Sequence, residues 1–258
     1  MGFIDDFLSI GVDSFWASDG YTVFATALVA VALVISLALS FKLFAKYRLN
    51  KKKSVRYLAL AYLLIIIGIL LAIPIALDPA CHVKKSFENS SKMVIIFAVY
   101  FYFSFAISIF YMKDENKKKI VIIQALYLII NIFLVIMNAI FEISHCIIYG
   151  ETLQGPVFAL IQQCVITIPL IFILVRAWLL SRKINNRGDK KALEFIAWSG
   201  FFKFIAFLSM AIDDFIAQDN AWSTPAGVFM ILGFIYFYLG VARPKKVFER
   251  YNAIPEEK

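Results

Sequence analysis

The chain has 258 residues, 62% of them hydrophobic and 17% charged, with a formal net charge of +8 and a mean hydropathy of +0.80. Soluble domains carry about 45–50% apolar and about 25% charged residues, so one soluble core cannot hide this much apolar surface and the excess must face lipid. The positive charge does not mark a nucleic-acid binder, because it lies in short connectors between apolar runs, without interleaved aromatic residues.

The first stretch, Gly2–Trp16, places Phe3, Ile4, Phe7, Leu8, Val12, Phe15 and Trp16 near helical spacing beside Asp5, Asp6 and Asp13. It has no basic leading region, so it reads as an amphipathic helix on the outer surface rather than a cleavable signal. Residues 1–20 form this outer segment, 21–242 a transmembrane domain and 243–258 a basic tail. Crossing the hydrocarbon takes about 20 mainly apolar residues. Seven runs meet this: Tyr21–Ala45, Val55–Leu77, Met93–Met112, Ile120–Ile143, Pro156–Ser181, Leu193–Ala217 and Thr224–Ala242. Hydrocarbon offers the backbone no partners, so each must be a helix. The fold class expected is all-α, a polytopic seven-helix bundle.

Orientation follows from the basic residues. Lys46, Arg48, Lys51, Lys52, Lys53 and Arg56 lie between the first two spans, Lys113 and Lys117–Lys119 between the third and fourth, and Arg182, Lys183, Arg187, Lys190 and Lys191 between the fifth and sixth. The tail adds Arg243, Lys245, Lys246, Arg250 and Lys258, whereas the opposite connectors hold only Lys84, Lys85 and Lys92. Lysine and arginine mark the cytoplasmic side, so the N-terminus is expected outside and the C-terminus inside, in the cell membrane. The basic loops then meet anionic lipid headgroups. The two basic-loop-to-apolar-helix stretches, Phe41–Ala61 and Val175–Ala197, resemble one another, which suggests a 3+1+3 layout of parallel repeats, as in some transporters.

Polar groups within apolar spans mark packing or function. Gln124, Asn131 and Asn138 recur every seven residues in the fourth span, and Glu142 and His145 continue the same face. The stripe should face the bundle interior, as a polar lining or as interhelical bonding. Gln162, Gln163 and Thr167 lie in the fifth span, with Pro169 as a predicted kink. Lys203 lies near the bilayer centre in the sixth, where it either snorkels or faces the interior. A buried lysine in a seven-helix protein invites comparison with rhodopsins, which carry theirs in the last helix; Thr224–Ala242 has none. Asp213 and Asp214, with Asp78, Glu142 and Asp219, would make an outer vestibule attractive to cations. The expected ligand set is Gln124, Asn131, Asn138, Glu142, Gln163, Lys203, Asp213 and Asp214.

Cys81-His82 and His145-Cys146 both fall on the outer side, where disulfides persist. A Cys81–Cys146 bridge is the preferred reading, and a metal site of Cys81, His82, Glu142, His145 and Cys146 the sharper alternative. Cys164 is expected to pack mid-helix. Asn89-Ser90-Ser91 is a glycosylation sequon. There is no phosphate-binding glycine loop, HExxH motif or nucleophile elbow, so no catalytic residue and no cofactor is assigned.

The repeated basic-loop pattern and the ending Ile235-Tyr236-Phe237-Tyr238-Leu239-Gly240-Val241-Ala242-Arg243-Pro244 resemble the seven-helix sensor region that precedes some prokaryotic histidine kinases. No kinase or cyclase module follows here, so the resemblance implies sensing of a ligand or of membrane state, with a separate cytoplasmic signalling partner. A small-solute or ion carrier is the alternative, and an accessory subunit of a membrane complex a third.

Overall fold

The computed structural model describes residues 20–73, 80–110, 117–150, 157–215 and 223–242. They form seven helices: α1 (Gly20–Asn50), α2 (Lys53–Ala72), α3 (Cys81–Phe110), α4 (Lys117–Tyr149), α5 (Val157–Ser181), α6 (Arg187–Phe215) and α7 (Ser223–Ala242). Six are long and apolar enough to cross a membrane, and the apolar run of the seventh, Pro225–Val241, is shorter. The chain is an all-α integral membrane protein. The amphipathic reading of Gly2–Trp16, the basic tail and the carboxylates Asp78 and Asp219 lie outside the described residues.

Burial is inverted relative to a soluble bundle. On α4, Ile122 is 60% and Ile129 63% exposed, while Asn131 and Asn138 are 0% exposed. Apolar groups face outward where lipid is their solvent, and amides face inward where only protein can bond them.

Several helix boundaries differ from the expected spans, and the two at the starts of α3 and α6 do so for the same reason. α3 begins at Cys81 rather than Met93, and α6 at Arg187 rather than Leu193. Apolarity marks only the part of a helix that crosses hydrocarbon, and these helices continue past it as polar turns. α6 starts where Asn186 Oδ1 accepts the Asp189 N–H at 3.0 Å, an N-cap bond. α4 ends at Gly150, whose φ of 73° is open to glycine. The Gly150 N–H bonds the Cys146 carbonyl at 3.0 Å, which satisfies one of the last carbonyls of the helix. α1 ends on Lys51, which has a φ of 52° and so takes the left-handed conformation without being glycine.

Six helices close a ring: α1 packs on α2, α2 on α3, α3 on α5, α5 on α6, α6 on α7, and α7 back on α1. α4 packs chiefly on α3 and α5, outside that ring. The end carrying Cys81 and Cys146 is termed the disulfide end, and the other the basic end. Small residues let α6 and α7 approach closely. A Cβ at Gly240 would lie 2.8 Å from the Ala192 carbonyl oxygen and 2.7 Å from Ile196 Cγ1. Because one of those atoms is backbone, Gly240→Leu is expected to destabilise the bundle by at least about 1–3 kcal/mol, read as a lower melting temperature in detergent. An unchanged value would mean the two helices are not this close.

Candidate functional site

Two sites emerge, one locked and one open. The locked one is the α3–α4 seam. Cys81 and Cys146 are joined by a disulfide with their Cα atoms 5.5 Å apart. Four residues further along each antiparallel helix, Lys85 Nζ lies 3.3 Å from Glu142 Oε1. Four more along, Asn138 Nδ2 donates to Asn89 Oδ1 at 3.2 Å. Asn89 Nδ2 also donates to Glu142 Oε2 at 2.9 Å. Each rung is one helical turn, about 3.6 residues, from the last. Glu88 extends the network, accepting from Lys85 at 2.8 Å and Lys92 at 2.5 Å. Deeper in the seam Gln124 donates to the Ser104 hydroxyl, and Asn131 Nδ2 to the Tyr127 carbonyl at 2.8 Å.

The seam accounts for the heptad stripe. Gln124, Asn131, Asn138 and Glu142 are all buried, and Gln124, Asn138 and Glu142 bond to α3. The disulfide occupies both sulfurs of the proposed metal set, and among the described residues no three His, Cys, Asp or Glu side chains group to hold an ion. His82 is exposed, and the His145 ring packs tilted against Tyr149 with ring centroids 4.7 Å apart. Asn89 is 5% exposed, on a helix, with its amide engaged; it is not an accessible glycosylation acceptor, so that expectation is corrected. Cys164 is exposed rather than packed, on the outward face of α5 with Ile161 and Ile168. Pro169 lies inside a single continuous helix.

The open site is a cavity of about 320 Å³ inside the six-helix ring. Ala32 of α1, Ala61, Tyr62, Ile65 and Ile69 of α2, and Ile95, Ala98, Val99 and Tyr102 of α3 form one side. Leu170 of α5, Lys203, Phe207 and Met210 of α6, and Ala226, Gly227, Met230 and Phe234 of α7 complete it. α4 contributes nothing. Among the described side chains, Lys203 is the one expected ligand residue that lines this cavity. Gln163 is half-buried on α5 away from it, with Oε1 unpartnered. Asp213 and Asp214 fall in the last turn of α6, and their side chains lie outside the described residues.

Lys203 is 5% exposed. Its Nζ faces the rings of Tyr102 at 4.1 Å, Phe237 at 4.6 Å, Phe234 at 5.2 Å and Tyr62 at 5.7 Å. No family model, curated protein or solved structure matches the chain. The site is therefore read from its own geometry.

Gly233 sets the depth of the lysine: a Cβ there would come within 2.8 Å of Lys203 Cγ. The sequence signalled the lysine but not its cage. Tyr62, Tyr102, Phe234 and Phe237 come from three helices, and nothing in their spacing along the chain foretells that they converge. On the basic side, a smaller cleft of about 60 Å³ is lined by Lys42, Lys46, Leu58, Tyr62, Phe237 and Tyr238. Tyr62 borders both spaces.

Proposed function

We propose that the chain crosses the bilayer seven times, disulfide end outside, and is a receptor-like sensory bundle that holds a small lipophilic molecule inside its helix ring. The observation that carries this reading is the apolar cavity walled by residues of α1, α2, α3, α5, α6 and α7. At about 320 Å³ it is roughly twice the engineered ~150 Å³ apolar cavity that takes up benzene. It falls within the size range of small-molecule sites, on the order of 300–1,000 Å³. A ligand touching several helices biases their packing, and the basic loops at the far ends of those helices would present the change to a cytoplasmic partner. The likeness to kinase-linked sensor regions agrees with that direction of signalling. The seam is the fixed part of the machine and the ring is the responsive part.

A carrier is the second reading, favoured by one feature. Tyr62 borders both the large cavity and the basic-side cleft, and Phe237 lines the cleft beside Lys203, so displacing these rings would join the two spaces into a path. The position of α4 outside the ring agrees with a 3+1+3 layout. Substrate flux in liposomes would favour this reading over the sensor.

The sensor reading is tested by thermal shift of the purified chain against a panel of small apolar compounds. A ligand at about 100 times its Kd stabilises by about 2.7 kcal/mol. Such shifts are expected in the wild type and should vanish in Ala98→Leu and Ala226→Leu, which fill the cavity without lowering the unliganded melting temperature. Equal shifts in wild-type and filled variants would place binding elsewhere.

A further inference from the structure

The cavity wall is electrostatically unbalanced. An ammonium has three N–H donors. Ring faces attract it, yet they are weak acceptors. Among the described residues Lys203 forms no ion pair, although four other pairs occur there. A second buried donor belongs to a residue lining the same cavity: the Tyr62 hydroxyl, of a residue 1% exposed, has no hydrogen-bond partner. The Tyr102 hydroxyl, by contrast, is near Ser199 Oγ at 3.5 Å. Lys203, without an ion pair, and Tyr62, with an unpartnered hydroxyl, therefore both line an otherwise apolar chamber. Burying an unpaired charge is costly, and a matched partner removes much of that cost.

We infer that the chamber binds a lipophilic monocarboxylate, a single short hydrocarbon body with one anionic head. The inference rests on the cavity being a ligand site, as proposed above. The head accepts hydrogen bonds from Lys203 Nζ and the Tyr62 hydroxyl. The body fills the space toward Ala98, Met210 and Ala226. Cations are disfavoured, because Lys203 in the wall is itself a cation. Two-chain phospholipids exceed the volume. By comparison with the benzene-binding cavity, the body has on the order of ten carbons.

Binding of radiolabelled decanoate and of decanol to the full chain in phosphatidylcholine nanodiscs, with empty discs subtracted, tests this. Decanoate should bind the wild type about 10- to 100-fold more tightly than decanol, the range a charge-assisted hydrogen bond supplies. Lys203→Met should lose that preference while still binding decanol, and its melting temperature should be equal to or above wild type. Tyr62→Phe should weaken decanoate binding by a smaller factor with the fold intact. If decanoate and decanol bind alike and Lys203→Met changes neither, the carboxylate assignment is overturned while the cavity remains a ligand site. If neither binds and the filled variant Ala226→Leu behaves as wild type, both readings fall. Discs containing phosphatidylglycerol should give the same decanoate affinity; competition there would replace the free acid with a lipid as the occupant.

Discussion

Replacing Lys85 with methionine is expected to lower stability by about 3 kcal/mol, the lower end of the cost of breaking a buried ion pair. The argument turns on who is left behind. Glu142 is 2% exposed, and Lys85 is the cation paired with it among the described residues. Without Lys85 its carboxylate keeps only the Asn89 amide. Glu88 is not stranded, because Lys92 still bonds it at 2.5 Å. The complementary change, Glu142→Gln, is expected to cost less, about 1–2 kcal/mol. The reason is that Lys85 retains Glu88 at 2.8 Å. The asymmetry is the signature. The double variant Lys85→Met with Glu142→Gln should recover much of the single-variant loss in a double-mutant cycle. By contrast, truncating Gln124 should cost about 0.6 kcal/mol, the usual value for an interhelical bond in a membrane. Denaturant titration in mixed micelles reads all of these; equal losses for Lys85→Met and Glu142→Gln would mean the seam is a solvated surface network.

The second large effect belongs to the disulfide. Removing it in a Cys81→Ser, Cys146→Ser double variant should cost about 2–4 kcal/mol. The two half-cystines are 65 residues apart in sequence, for which chain entropy alone gives about 4 kcal/mol. Helices that persist in the unfolded membrane state reduce that figure. The bridge lies one turn from the Lys85–Glu142 rung, so the two are coupled. Removing both should cost more than the two losses added, because either rung alone holds the open ends of the α3–α4 hairpin together. Strict additivity, or a melting temperature unmoved by reduction, would show that the rungs act separately.

Much of this was legible in the chain itself. Hydrocarbon leaves a backbone one solution, so the apolar runs gave the helices. The repeat at Gln124, Asn131, Asn138 and Glu142 gave a polar face on α4. What escaped was its partner. Lys85 and Asn89 were read as loop residues because a polarity-based boundary stops where hydrocarbon stops. Yet Cys81, Lys85 and Asn89 are spaced by four, as Cys146, Glu142 and Asn138 are in reverse. Starting from the expected disulfide, that antiparallel match predicts the ladder rung by rung. The cavity was not legible in the same way. Lys203 stood out by its depth, but the aromatic residues around it come from α2, α3 and α7, and only tertiary packing brings them to one point. Glycines told a similar story: Gly233 and Gly240 look ordinary in sequence, and their meaning is the close passage of α6.

The proposal beneath all of these is that the bundle spans the bilayer with its disulfide end outside and its basic end inside. Side-specific labelling with a membrane-impermeant maleimide tests it most directly, in intact cells carrying Cys164→Ser and one new cysteine. Position 149 (Tyr149→Cys), at the disulfide end, should label without permeabilisation. Position 52 (Lys52→Cys), at the basic end, should label only after it. Labelling of both from outside, or of position 52 alone, would contradict the account.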